Sequence, residues 1–85
     1  MLLLYDITDD RIRHKVSEAC KDYGLKREQY SAFSGQLNTN KREELFMRVK
    51  KLLGRHGGSI HLYNICEKDF RLRQTYKVEE PKEDD

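Results

Sequence analysis

Apolar and polar positions fall into blocks along this chain, and the period changes from block to block. Residues 2–7, LLLYDI, are short, apolar and followed by turn formers, so they predict a strand. A period of two places Leu2, Leu4 and Asp6 on one face and Leu3, Tyr5 and Ile7 on the other. Apart from Asp6 both faces are apolar, the pattern of a central strand covered on both sides. From Asp9 the period lengthens. Ile12, Val16, Ala19, Cys20 and Tyr23 recur at helical spacing. Thr8 or Asp9 can cap that helix, Asp9 and Asp10 suit its positive end, and Gly24 suits its stop.

In REQYSAFSGQL, Tyr30 and Ala32 favour a strand, with Gln29, Ser31 and Phe33 on its alternate face. Ser34-Gly35 predicts a tight turn that lets 35–38 return as a short paired strand. Asn40 with Glu43 resembles a capping box, and Leu45, Val49, Leu52 and Leu53 form the stripe of a second helix ended by Gly54, Gly57 and Gly58. SIHLYNIC (59–66) predicts a strand, and RLRQTYKV (71–78) a weaker edge strand. The order is the split βαβ plan: an α+β, ferredoxin-like βαββαβ sandwich with an extra C-terminal edge strand. The domain spans 1–78, and 79–85 is expected to be a disordered acidic tail. Two helices cover only one sheet face, so the apolar second face of the first strand predicts a homodimer about a two-fold axis.

Composition adds a charge asymmetry. The 85 residues make one small domain with a thin core. The net charge of +2 averages a basic body, Arg11 to Arg73, with an acidic end, VEEPKEDD. A basic body fits a polyanion partner, and equally an ordinary hydrated surface. There is no secretory signal or membrane span, which predicts a cytoplasmic protein. Cys20, Cys66 and the three histidines lack metal-ligand spacing.

Local motifs carry a resemblance. LLLYDITDDRIRHKV pairs a strand ending in Tyr-Asp with a basic helix, YGLKREQYSAFSGQL follows, and SIHLYNI comes after the second helix. From Leu2 to about Cys66 the chain resembles the small CRISPR adaptation subunit, the Cas-two family. The resemblance implies a ferredoxin-like homodimer in a prokaryotic cell. It also implies a metal-dependent endonuclease of single-stranded RNA or double-stranded DNA, bridging the integrase subunit during spacer acquisition. The family's metal-binding aspartate maps onto Asp6, which makes Asp6 the expected metal ligand and catalytic residue, with magnesium, or alternatively manganese, as cofactor. One or two carboxylates plus a substrate phosphate suffice for magnesium.

Bland readings stand beside these. Asp6 can simply accept hydrogen bonds from the start of the next helix. Asp9 and Asp10 are explained by helix initiation or act as supports for the metal, and Ser31 is packed or approaches a phosphate. Arg11, Arg13, Lys15, Lys26 and Arg27 are the expected phosphate contacts, working by charge neutralisation and counterion release. Two alternatives differ in class: a non-catalytic DNA-binding bridge in the adaptation complex, and a ferredoxin-like nucleic-acid-binding module outside CRISPR. The latter lacks the aromatic strand motif of RNA-recognition domains.

Overall fold

Strand β1 (Leu2–Ile7) is the element to which the rest of the sheet is added. In this computed structural model, which describes residues 1–78, the order is β1, α1 (Asp10–Asp22), β2 (Lys26–Gln29), β3 (Ala32–Ser34), α2 (Thr39–Leu53), β4 (Gly58–Tyr63) and α3 (Glu67–Arg71). The sheet order is β2-β3-β1-β4 with every neighbour antiparallel. This is the expected ferredoxin-like βαββαβ core, with β1 central. Leu4 sits between Ala32 and His61, and Asp6 sits opposite Ser59.

The alternation along β1 decides what is buried. Leu3, Tyr5 and Ile7 lie under the helices with Phe33, Val16, Ala19, Cys20, Leu45 and Val49. The Tyr5 and Phe33 rings stack within this core at 6.4 Å between centroids. Leu2 and Leu4 face the other way and are only half-buried, and Asp6 beside them is exposed. His61 and Tyr63 of β4 share that face by register, are both exposed, and stack on each other. Among the described residues no helix covers this part of the sheet.

Several local expectations are corrected. The β2–β3 turn falls at Tyr30-Ser31, not at Ser34-Gly35, and 35–38 form no strand. Pairing with β1 sets this register, because Phe33 must reach the core and the Ser31 carbonyl accepts from the Tyr5 amide at 3.0 Å. Gly35 then packs so close to Leu25 that a Cβ there would meet Leu25 Cδ2 at 2.6 Å. Helix α2 is capped by Asn38, whose side chain accepts from the Lys41 amide at 2.8 Å, rather than by Asn40. Asp9 caps α1 as one of the two expected residues, accepting from the Ile12 amide at 3.0 Å.

The extra edge strand over 71–78 is not formed within the chain. Residues 67–71 wind into α3, and 72–78 have no strand pairing. Leu72, Tyr76 and Val78 are all exposed, so an alternating pattern there has no surface within the chain to bury against. Arg73 instead lies over the Phe70 ring at 3.8 Å and bonds Glu28 at 3.4 Å. The acidic tail expected over 79–85 lies outside the described residues.

Two predictions follow from the packing. A Cβ at Gly58 would stand 2.7 Å from the Asp6 carbonyl and 3.3 Å from Ile7 and Leu53 side-chain atoms. Gly58→Ala must therefore push β4 away from the end of β1, and a loss of about 1–3 kcal/mol in denaturant unfolding is expected. Both cysteines are free. Burial pushes the Cys20 thiol up to about 11, whereas Cys66 is exposed. A thiol reagent should modify one group quickly in the native protein and the second only on unfolding.

Candidate functional site

Neighbouring residues of a strand point to opposite faces, so Tyr5 and Asp6 open onto different surroundings. Asp6 stands exposed at the end of the uncovered face, past Leu2 and Leu4. Its carboxylate makes no hydrogen bond to the start of α1; that role belongs to Asp9. The Ile12 amide, first of all, holds the Asp9 carboxyl below its ordinary value. Asp10 is likewise engaged, by the Arg13 guanidinium one turn on. The three carboxylates of the opening stretch are thus separated by local structure: two organise the helix start, and one does not.

A magnesium ion needs hard oxygen donors. Asp6 is such a donor, exposed and, among the described residues, engaged in no ion pair or hydrogen bond. Among the described residues no group of three or more His, Cys, Asp or Glu is placed to hold a metal. One chain therefore offers half of a carboxylate site, and the donor set fits magnesium only when a second carboxylate or a phosphate joins it.

The basic residues divide into three places. Arg11 and Lys15 of α1 line a hollow with Lys51 and His56 from the end of α2, at a cavity volume of about 710 Å³. Arg13 and Arg27 converge on a second hollow of about 360 Å³ between α1 and the β2–β3 turn. Lys26 lies apart from both, beside Glu28 and Ser34 near Arg71 and Arg73. The sequence pattern joined Arg11, Arg13 and Lys15 as one set because they are close in sequence, whereas their helix positions send Arg13 to a different wall. Ser31 contributes its backbone to the β1–β3 pairing and sits half-buried in the turn.

The Arg13 guanidinium donates to the Ile7 carbonyl at 3.0 Å and lies 5.3 Å from the Tyr30 ring centre. The Arg27 guanidinium donates to Ser17 Oγ at 2.6 Å and to the Tyr30 carbonyl at 2.8 Å, and lies over the Phe33 ring. Tyr5 reaches the same place from β1. Its hydroxyl is buried and has no hydrogen-bond partner among the described residues. Burial, above all, raises its ionisation above the ordinary tyrosine value, with Arg13 and Arg27 opposing. A buried hydroxyl left unpaired costs about 1–3 kcal/mol. The sequence pattern marks Tyr5 as packing and Lys51 only as one of a wider basic set, and it does not single out Ser17 or His56. Nothing in the local pattern marks a pair such as Ser17 and Arg27, which bond across 10 positions.

Residues 1–73 match the family profile described as CRISPR associated protein Cas2. A CRISPR-associated endoribonuclease Cas2 from Desulforudis audaxviator is 48% identical over 77 residues, covering 91% of this chain and 73% of the relative. A second, from Chloroflexus aurantiacus, is 38% identical, covering 86% of each. Among solved structures, Streptococcus pyogenes Cas2 superposes with a TM-score of 0.78 at 21% identity, over 89% of this chain and 96% of that one, and so supports the fold. A hypothetical protein from Thermus thermophilus superposes with a TM-score of 0.70 at 31% identity, over 76% of this chain and 78% of that one. Among the described residues no helix is long and apolar enough to cross a membrane.

Proposed function

The chain belongs to the CRISPR-associated Cas2 family, and from that premise we propose that it is a homodimeric, magnesium-dependent endonuclease. Its substrates on this reading are phosphodiesters of single-stranded RNA or duplex DNA, and it works beside the integrase subunit in spacer acquisition. The observation that carries the proposal is the placement of Asp6. It is an exposed carboxylate closing a central strand whose remaining residues on that face are Leu2 and Leu4. The endoribonuclease names of the relatives support the same reaction class.

Covering the apolar face with a second copy brings two Asp6 carboxylates toward one axis. Two bare carboxylates in a shared apolar setting repel, so the pair favours a bound cation, a shared proton or water. Magnesium, or manganese, held by the two Asp6 carboxylates and a substrate phosphate would polarise the phosphoryl oxygen and activate water. The chain's other residues position the polyanion. Arg11, Arg13, Lys15, Lys26 and Arg27 neutralise phosphates, which needs no base recognition and suits a backbone of any sequence. Asp9 and Asp10 support the site indirectly by fixing the start of α1. Ser31 stands in the β2–β3 turn, where its carbonyl accepts from the Tyr5 amide, and on this reading its hydroxyl serves as a supporting phosphate contact.

The non-catalytic bridge is the second reading, and one observation favours it. Among the described residues no group of three or more His, Cys, Asp or Glu is placed to hold a metal, and phosphate binding by basic residues needs none.

Asp6→Ala is expected to lower metal-dependent cleavage by roughly 100-fold or more while duplex affinity stays within about twofold. Unchanged cleavage by that variant in magnesium and manganese would remove Asp6 from the chemistry. Duplex affinity of the wild type should fall by about two to three powers of ten between roughly 50 and 200 mM salt, given about five phosphate contacts. An affinity indifferent to salt would contradict the electrostatic track.

A further inference from the structure

We propose that the hollow between α1 and the β2–β3 turn binds a nucleoside 5′-monophosphate group, either free or at the end of a strand. The inference rests on the nucleic-acid reading above for its ligand class, but not on Asp6 or on any metal. Because Tyr5 and Asp6 are neighbours on β1, this hollow opens on the helix side of the sheet and Asp6 on the other.

Three features point to a phosphate. The first is charge. The Arg27 guanidinium meets only the neutral acceptors Ser17 Oγ and the Tyr30 carbonyl, and its described contacts include no carboxylate. Arg13 is partly balanced by Asp10, which also lines the hollow and holds that guanidinium in place. The hollow therefore keeps an excess of positive charge. The second is the Tyr5 hydroxyl. Tyr5 is 4% exposed, and its hydroxyl lacks a partner among the described residues. A phosphate oxygen accepting from it would satisfy the hydroxyl between two guanidinium groups suited to paired bonds. The third is shape. The volume of about 360 Å³ suits a small ligand, and the Tyr30 ring at its rim is 68% exposed. An exposed ring beside a phosphate-binding arginine pair gives a base a surface to stack on. His14 completes the wall from α1. To reach the Tyr5 hydroxyl a phosphate would take the place of the Arg27 bonds to Ser17 Oγ and the Tyr30 carbonyl, exchanging neutral acceptors for a charged one.

The test is an amide nitrogen–proton NMR titration of the whole chain with adenosine 5′-monophosphate, with adenosine and inorganic phosphate as separate half-ligands. Saturable shifts at the amides of Tyr5, Ser17, Arg27 and Tyr30 are expected, with adenosine binding at least about tenfold more weakly than the nucleotide. Tyr5→Phe removes only the hydroxyl and should weaken nucleotide binding about tenfold while the thermal midpoint of the unliganded chain holds or rises; Arg27→Gln should weaken binding by the same factor or more. Short 5′-phosphorylated and 5′-hydroxyl oligonucleotides then separate the two sources. Tighter binding of the phosphorylated strand assigns the site to strand ends, and equal binding assigns it to free nucleotide. The inference is overturned if millimolar nucleotide leaves these amides unmoved, or if Tyr5→Phe binds as the wild type does. Such a failure with duplex binding intact removes this site alone. Loss of duplex binding as well removes the nucleic-acid reading on which it rests.

Discussion

Two helices cover one face of a four-stranded sheet, and the central strand of this sheet is apolar on both. The rest of the structure follows from that mismatch. Leu3, Tyr5 and Ile7 anchor the core beneath α1 and α2, while Leu2 and Leu4 stay half-buried on the other side with exposed His61 and Tyr63 beside them. Apolar area left in water is a free-energy loss that association can recover. A chain of this size, whose own core is thin, has particular need of it. Asp6 closes that same face, so in the proposed dimer the contact that covers the face would also bring the two carboxylates together.

The strand's period of two separates two kinds of chemistry. On the uncovered face stands the exposed Asp6 carboxylate, without an ion pair or hydrogen bond among the described residues, the donor type that a hard cation uses. On the helix side, one residue earlier, an unpaired tyrosine hydroxyl meets two arginines drawn from α1 and β2. Each side is held by a different restraint. Gly58 lets β4 approach the Asp6 backbone closely. The Ser17 and Tyr30 bonds hold Arg27 over Phe33. One six-residue strand therefore presents an acidic and a basic environment without bringing them together.

The strongly periodic parts of this architecture were legible in the sequence. Strand β1, both long helices, β4 and the face assignment of Asp6 follow from spacing alone, because burial imposes the spacing. The β2–β3 turn was not legible: Tyr30-Ser31 carries no glycine signal, and pairing with β1 overrode the attractive Ser34-Gly35. The helix α3 was missed because it is five residues long and set by local bonds such as Phe70 to Cys66, whereas the residues after it alternate like a strand that nothing within the chain pairs. Individual basic residues could be nominated, but their grouping could not. Arg13 and Arg27 meet only because β2 returns beside α1, and that the Tyr5 hydroxyl finds no partner among the described residues shows only in three dimensions.

The central claim is that a second copy covers the face of Leu2 and Leu4. Sedimentation of the wild-type chain at micromolar concentration, beside Leu4→Lys, tests it most directly. The account predicts a dimer for the wild type and a folded monomer for the variant, since a charge at that position would be buried unpaired in the dimer but solvated in the monomer. A wild-type monomer, or a dimer that Leu4→Lys leaves intact, would contradict it.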